Sequence, residues 1–86
     1  MPELSRFFGV VIRMFYNDHD PPHFHASYGE HEALLGVETL EVLRGALPRR
    51  ALALVLEWAV LHRAELLEAW QLASRGEPPK RIEPLE

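Results

Sequence analysis

Between Pro48 and Gly76 the chain contains neither glycine nor proline. The interval is dominated by Ala, Leu, Glu and Arg, all strong helix formers. Pro48 suits the first turn of a helix. Gly76 suits a C-terminal cap, and Pro78-Pro79 would stop any continuation. The spacing predicts one long helix over about residues 48–75. On a 100° wheel Ala51, Leu54, Val55, Trp58, Ala59, Leu61, Leu66, Ala69, Trp70, Leu72 and Ala73 form a broad apolar face. Glu57, Arg63, Glu68, Gln71 and Arg75 lie outside it. His62 and Glu65 lie inside it, three residues apart and so adjacent.

The front half reads as strands. Phe7 to Tyr16 is rich in aromatic and β-branched residues, with Phe8, Val10, Ile12, Met14 and Tyr16 on one face. A polar turn over 17–22 follows, closed by Pro21-Pro22. His23 to Tyr28 and His31 to Val37 then read as two strands joined at Gly29-Glu30, which fits a type II′ turn. That turn predicts a register: Tyr28 opposite His31, Ser27 opposite Glu32, Ala26 opposite Ala33, His25 opposite Leu34 and Phe24 opposite Leu35. A short strand over Leu40 to Arg44 completes the set. The expected fold is α+β in one domain. A three- to four-stranded antiparallel meander, about 6–44, packs on one long C-terminal helix, and 77–86 form an extended tail that covers an edge. One helix covers one sheet face. Its apolar arc exceeds what so small a sheet can bury, so self-association or a protein partner is expected.

An 86-residue chain buries only about 60–65% of its unfolded surface, so the core is modest. With no cysteine, disulfides and thiolate zinc sites are excluded. The net charge of −4 argues against general nucleic-acid affinity, which needs Lys and Arg against phosphates; nucleic acid is expected only as a substrate. The N-terminal residues lack the basic and apolar regions of a signal peptide. No apolar run is long enough to span a bilayer, so no membrane association is expected.

The chemistry concentrates in Asn17-Asp18-His19-Asp20-Pro21-Pro22-His23-Phe24-His25. His23 and His25 alternate around Phe24, so a strand puts both imidazoles on the face opposite Phe24. Two such imidazoles can grip one metal ion or one anionic group. A metal needs a third ligand, with His19, Asp18, Glu32 and His62 within the chain's reach. The metal candidates are therefore His19, His23, His25 and Glu32, and the expected ion is a divalent transition metal, zinc or manganese. Solvent-facing imidazoles with no ligand are the plainer account. Asp18 and Asp20 are also ordinary turn residues that bond their own backbone.

His62 and Glu65 admit two accounts. They can satisfy each other at the core edge, or they can line the His23/His25 cleft, with His62 a general base oriented by Glu65. The candidate catalytic residues are thus His23, His25, His62 and Glu65. Trp58 and Trp70 are core residues by default. They point about 120° apart on one straight helix, so at least one is a candidate partner contact. Arg49 and Arg50, with Arg6, Arg13 and Arg44, form the main basic cluster.

Several segments resemble a bacterial family of small proteins, domain of unknown function 4160. They are Phe7-Phe8-Gly9-Val10-Val11-Ile12, the Asn17 to His25 element, Tyr28-Gly29-Glu30, Gly45-Ala46-Leu47-Pro48 and Glu57 to Leu66. The resemblance covers nearly the whole chain, with Pro-Pro-His-x-His its specific element. It supplies no catalytic assignment. It implies a small cytoplasmic bacterial protein and a two-gene, toxin–antitoxin-like setting. The implied partner is a small protein encoded nearby, of the domain of unknown function 2442 type. Two functions follow as expectations: a protein-interaction module of such a system, or a small metal-dependent hydrolase or ribonuclease using the His23/His25 cluster.

Overall fold

The computed structural model describes residues 2–86; Met1 lies outside them. Five strands, β1 (Glu3–Phe7), β2 (Val10–Arg13), β3 (His23–Tyr28), β4 (His31–Gly36) and β5 (Val42–Ala46), precede two helices, α1 (Arg49–Leu61) and α2 (Arg63–Ser74). The strands form one antiparallel meander in the order β1-β2-β3-β4-β5. The α+β class and the meander are as expected. The sheet has one strand more than the upper expectation, and the long helix is two helices.

The extra strand comes from Phe7–Tyr16, which is not one strand. Phe8 and Gly9 both take positive φ, 48° and 86°. That is the signature of a two-residue type I′ turn, and it pairs Phe7 with Val10. The chain therefore folds back, burying Phe7 in β1 and leaving Phe8 61% exposed. The β3–β4 hairpin has the predicted register at all five positions, extended to His23 opposite Gly36. Gly29 carries the positive φ of a type II′ turn and Glu30 does not. The last strand starts later than Leu40, because Leu40 itself is left-handed at φ 59° and closes a turn.

The helix breaks at His62, φ −125° and ψ 28°. Its N–H bonds to the Ala59 carbonyl three residues back, which ends α1, and its own carbonyl accepts the Leu66 N–H that starts α2. A straight helix would point Trp58 and Trp70 apart. With the break, each helix buries its own stripe: Ala51, Val55, Trp58 and Ala59 on α1, and Leu66, Ala69, Trp70 and Ala73 on α2. Trp58 is 0% and Trp70 6% exposed. Neither indole is therefore offered to a partner, which corrects that expectation. Leu61, counted in the apolar face, is 67% exposed because the helix ends there. Gly76 does cap α2. Its N–H bonds to Ala73 and that of Glu77 to Leu72, the two bonds of a Schellman motif.

The inner sheet face contributes Val10, Ile12, Phe24, Ala26, Ala33 and Leu35 to the core with the helices. At the tail, the Ile82 N–H bonds to the Leu4 carbonyl at 2.8 Å, Ile82 is buried, and Arg81 pairs with Glu3. The tail thus covers the β1 edge, as expected. The outer face carries Arg13, His25, Ser27, Glu32, Leu34 and Arg44, all exposed or only partly buried. Among the described residues no helix is long and apolar enough to cross a membrane.

Candidate metal centre

The outer face of β3 meets the 17–22 turn at one point. His23 and His25 project there from the same face with ring centroids 5.5 Å apart, while Phe24 is fully buried on the other side. This is the outcome expected from strand alternation. His23 is backed by Trp70 of α2, centroid to centroid 5.0 Å. His25 stacks on Phe15 at 4.0 Å with planes 12° apart. Both rings are held by packing.

Asp18 is the third member. Its Oδ1 accepts the His19 N–H at 2.9 Å, and its Oδ2 lies 2.9 Å from His23 Nε2 and 3.8 Å from His25 Nε2. One ligand atom from each of Asp18, His23 and His25 lies within 4.8 Å of the others. Donors around a tetrahedral ion at about 2.0–2.1 Å stand roughly 3.3 Å apart, so the observed spacings bracket what an ion needs.

The hydrogen bonds identify the ring atoms that face inward. The Pro21 carbonyl lies 2.8 Å from His23 Nδ1 and can only accept, so Nδ1 carries the hydrogen. In a neutral ring, Nε2 then presents a lone pair to the Asp18 carboxylate, which also only accepts. Two acceptors facing each other at 2.9 Å repel unless a cation lies between them or the ring takes a second proton. His25 lies between two carboxylates without bonding to either. Its Nδ1 faces Glu32 Oε2 at 3.7 Å, its Nε2 faces Asp18, and neither nitrogen, though buried, has a hydrogen-bond partner. Metal-bound histidines commonly use one nitrogen for the ion and give the other N–H to a carbonyl or carboxylate. Pro21 and Glu32 stand in those second positions.

Electrostatics favour a neutral His25 and an ionised Asp18. Desolvation, joined by repulsion from His23, lowers the His25 pKa below its ordinary value of 6.5 despite Glu32 and Asp18. Burial opposes ionisation of Asp18, but the His19 N–H, His23 and His25 together outweigh it and lower its pKa. Between the depressed folded value of His25 and 6.5, the unfolded chain binds a proton that the folded chain refuses, so stability must rise with pH in that window. Asp18 acts in the same direction at lower pH: its contribution is lost as pH falls through its folded value. Thermal melts of metal-free protein from pH 7.5 to 5 should therefore show a falling midpoint, and His25→Gln should flatten the slope. An unchanged slope would remove His25 as its source.

The three residues sit in an open cleft of about 680 Å³ that also includes Phe15, His19, Asp20, Glu32, Leu34 and Arg44. Of the expected metal ligands, His23 and His25 are in the cluster. His19 and Glu32 line the cleft outside it: His19 because its backbone, not its ring, engages Asp18, and Glu32 because it faces the far nitrogen of His25. Asp18 enters in their place. It was among the residues within reach as a third ligand, and its position five residues before His23 lets the loop curl back onto the strand.

His62 and Glu65 do not line this cleft. They pair with each other, His62 packs on Trp58 at 5.5 Å, and Glu65 borders a separate hollow with Ser5, Arg6 and Arg81. The plainer account of this pair is the one the structure supports. Glu65 is half exposed, so losing its partner strands no buried charge. His62→Ala should cost about 1 kcal/mol or less, as for exposed pairs, and leave metal uptake unchanged. A thermal melt and a zinc titration of that variant check both statements.

No curated protein and no solved structure matches the chain. The family model described as Domain of unknown function (DUF4160) matches residues 9–71, from the β1–β2 turn through most of α2 and including the whole Asp18–His23–His25 cluster. The chain therefore belongs to the DUF4160 family.

Proposed function

We propose that the protein is a small metal-dependent hydrolase whose divalent transition ion, zinc or manganese, is held by Asp18, His23 and His25. The observation that carries this reading is the convergence of His23 Nε2, His25 Nε2 and one Asp18 carboxylate oxygen, with the Pro21 carbonyl behind His23 Nδ1 and Glu32 facing His25 Nδ1. Three protein ligands beside an open cleft leave a position for water or substrate, which separates catalytic from structural zinc sites. His19, which also lines the cleft, supplies a further acid–base group. Calorimetric titration with Zn²⁺, Mn²⁺ and Ni²⁺ at neutral pH should show saturable uptake, release near pH 5 as the imidazoles protonate, and metal-dependent cleavage of activated esters. Equal weak binding by wild type and by a His23→Ala/His25→Ala double variant would end the reading.

A second reading, an interaction module of a bacterial two-gene, toxin–antitoxin-like system, is supported by a different observation. Val60 and Leu61 at the end of α1 are more than 60% exposed, and every residue of β5 is exposed. A metal-dependent ribonuclease toxin would combine both readings, and both take the protein to be cytoplasmic. Light scattering on the purified chain, and co-purification with the product of the neighbouring gene, test it. A monomer at high concentration that captures no such neighbour counts against it.

A further inference from the structure

We infer that Arg44 completes the Asp18–His23–His25 cleft as an oxyanion subsite, and that the ligand is a phosphoester: its phosphate bridges the ion and the Arg44 guanidinium, and its organic part rests on Leu34 and Leu43. This inference rests on the metal reading above.

The placement follows from strand register. His25 on β3 is opposite Leu34 on β4, and Leu34 is opposite Arg44 on β5. Directly opposed residues share a sheet face, so His25, Leu34 and Arg44 form one row on the outer face. All three line the same cleft, as do Leu43, Asp18, Asp20 and Pro21. A ligand in the cleft can therefore meet the three metal-ligand atoms, a guanidinium and two leucines.

Arg44 is exposed and, among the described residues, makes no ion pair or side-chain hydrogen bond. Arg13, the other arginine in the row, donates to Ser27 and does not line the cleft. Arg44 is therefore the cleft's one cation with its fork of donors uncommitted. A guanidinium suits two oxygens of one phosphate, and such charge-assisted bonds are roughly twice as strong as neutral ones.

Charge makes the subsite conditional. The lining holds three carboxylates, Asp18, Asp20 and Glu32, against Arg44 alone. With neutral imidazoles that wall repels an anion. A bound divalent ion cancels the excess. Phosphate binding should therefore require the loaded protein. Leu34 and Leu43 give an organic substituent an apolar surface that inorganic phosphate cannot use.

Calorimetry with wild type and Arg44→Gln, each with and without Mn²⁺, tests this with inorganic phosphate, phenyl phosphate and acetate as probes. The inference expects equal Mn²⁺ affinity in the two proteins and phosphate binding only when Mn²⁺ is present. It expects tighter binding of phenyl phosphate than of phosphate, and about a tenfold or greater loss of both in Arg44→Gln. Arg44→Lys should recover part of that loss, and Leu43→Ser should erase the preference for phenyl phosphate alone. Phosphate affinity unchanged in Arg44→Gln, acetate bound as tightly as phosphate, or a manganese-loaded wild type that ignores phosphate each overturns the subsite while leaving the metal reading standing. A wild type that takes up no metal removes both, and that result is read before any phosphate is added.

Discussion

Asp18→Asn is expected to lower the affinity for zinc or manganese at least about 100-fold at neutral pH, while the metal-free protein stays within about 1 kcal/mol of wild-type stability. The substitution keeps size and shape and leaves an oxygen to accept the His19 N–H. It removes the charge between the two Nε2 atoms. Changes to the groups that hydrogen-bond metal ligands already cost about 10–100-fold, and loss of a ligand charge should cost no less. The stability half of the expectation follows from chemistry: the Asp18 side chain is partly exposed, and the amide of an asparagine can donate to the His23 Nε2 that faces it. Calorimetric titration paired with a urea melt checks both halves. An Asp18→Asn protein that binds metal as tightly as wild type would take Asp18 out of the centre.

Trp58→Ala should do the reverse, collapsing stability. Trp58 is fully buried, packs on Phe7 at 5.4 Å and Phe24 at 6.1 Å, and donates its indole N–H to the Glu83 carbonyl at 2.8 Å. It therefore joins α1 to the sheet and to the tail. Large-to-alanine changes of this kind cost about 3–5 kcal/mol. At roughly 0.05–0.15 kcal/mol per residue, a domain of this size holds only about 4–13 kcal/mol in total, so much of the population should unfold near body temperature. Trp58→Phe keeps most of the ring packing and loses the N–H bond, at about 1–2 kcal/mol. Urea melts of the pair separate packing from hydrogen bonding. A Trp58→Ala midpoint close to wild type would mean that the core repacks around the gap.

What could be read from the sequence was set by local chemistry. The β3–β4 register follows from one glycine in one turn position and from period-two patterning, so it was legible residue by residue. The shared face of His23 and His25 follows from the same period. The break at His62 was not legible, because helix propensity and the absence of glycine and proline both argue for continuity; only the burial of two tryptophans on different sides requires the change of direction. The β1–β2 turn was hidden because Phe8, an aromatic residue, occupies a left-handed position that sequence patterns assign to glycine or asparagine. Asp18 was visible as a turn residue and as one of several possible third ligands, but its selection over His19 and Glu32 depends on a loop folding back onto a strand, which no periodicity encodes. Arg44 became a cleft residue only through two successive strand pairings.

The seating of the tail on β1 has a consequence for how the molecule assembles and opens. Every other sheet pairing joins neighbouring strands, and such local contacts form quickly. The tail pairs with β1 across almost the whole chain, with Arg81 meeting Glu3 78 positions away, so its docking closes the longest loop in the fold. The family-matched residues can therefore condense first, and the clasp locks last. It is also where fluctuation should begin: when the tail lifts, β1 loses the cover on its edge and the Trp58 N–H loses its acceptor, while the β2–β4 ladder and the histidine cleft stay paired. In amide exchange, Ile82 should lose protection ahead of the central hairpin, marking the chain's two ends as one cooperative unit separate from the centre that holds the chemistry.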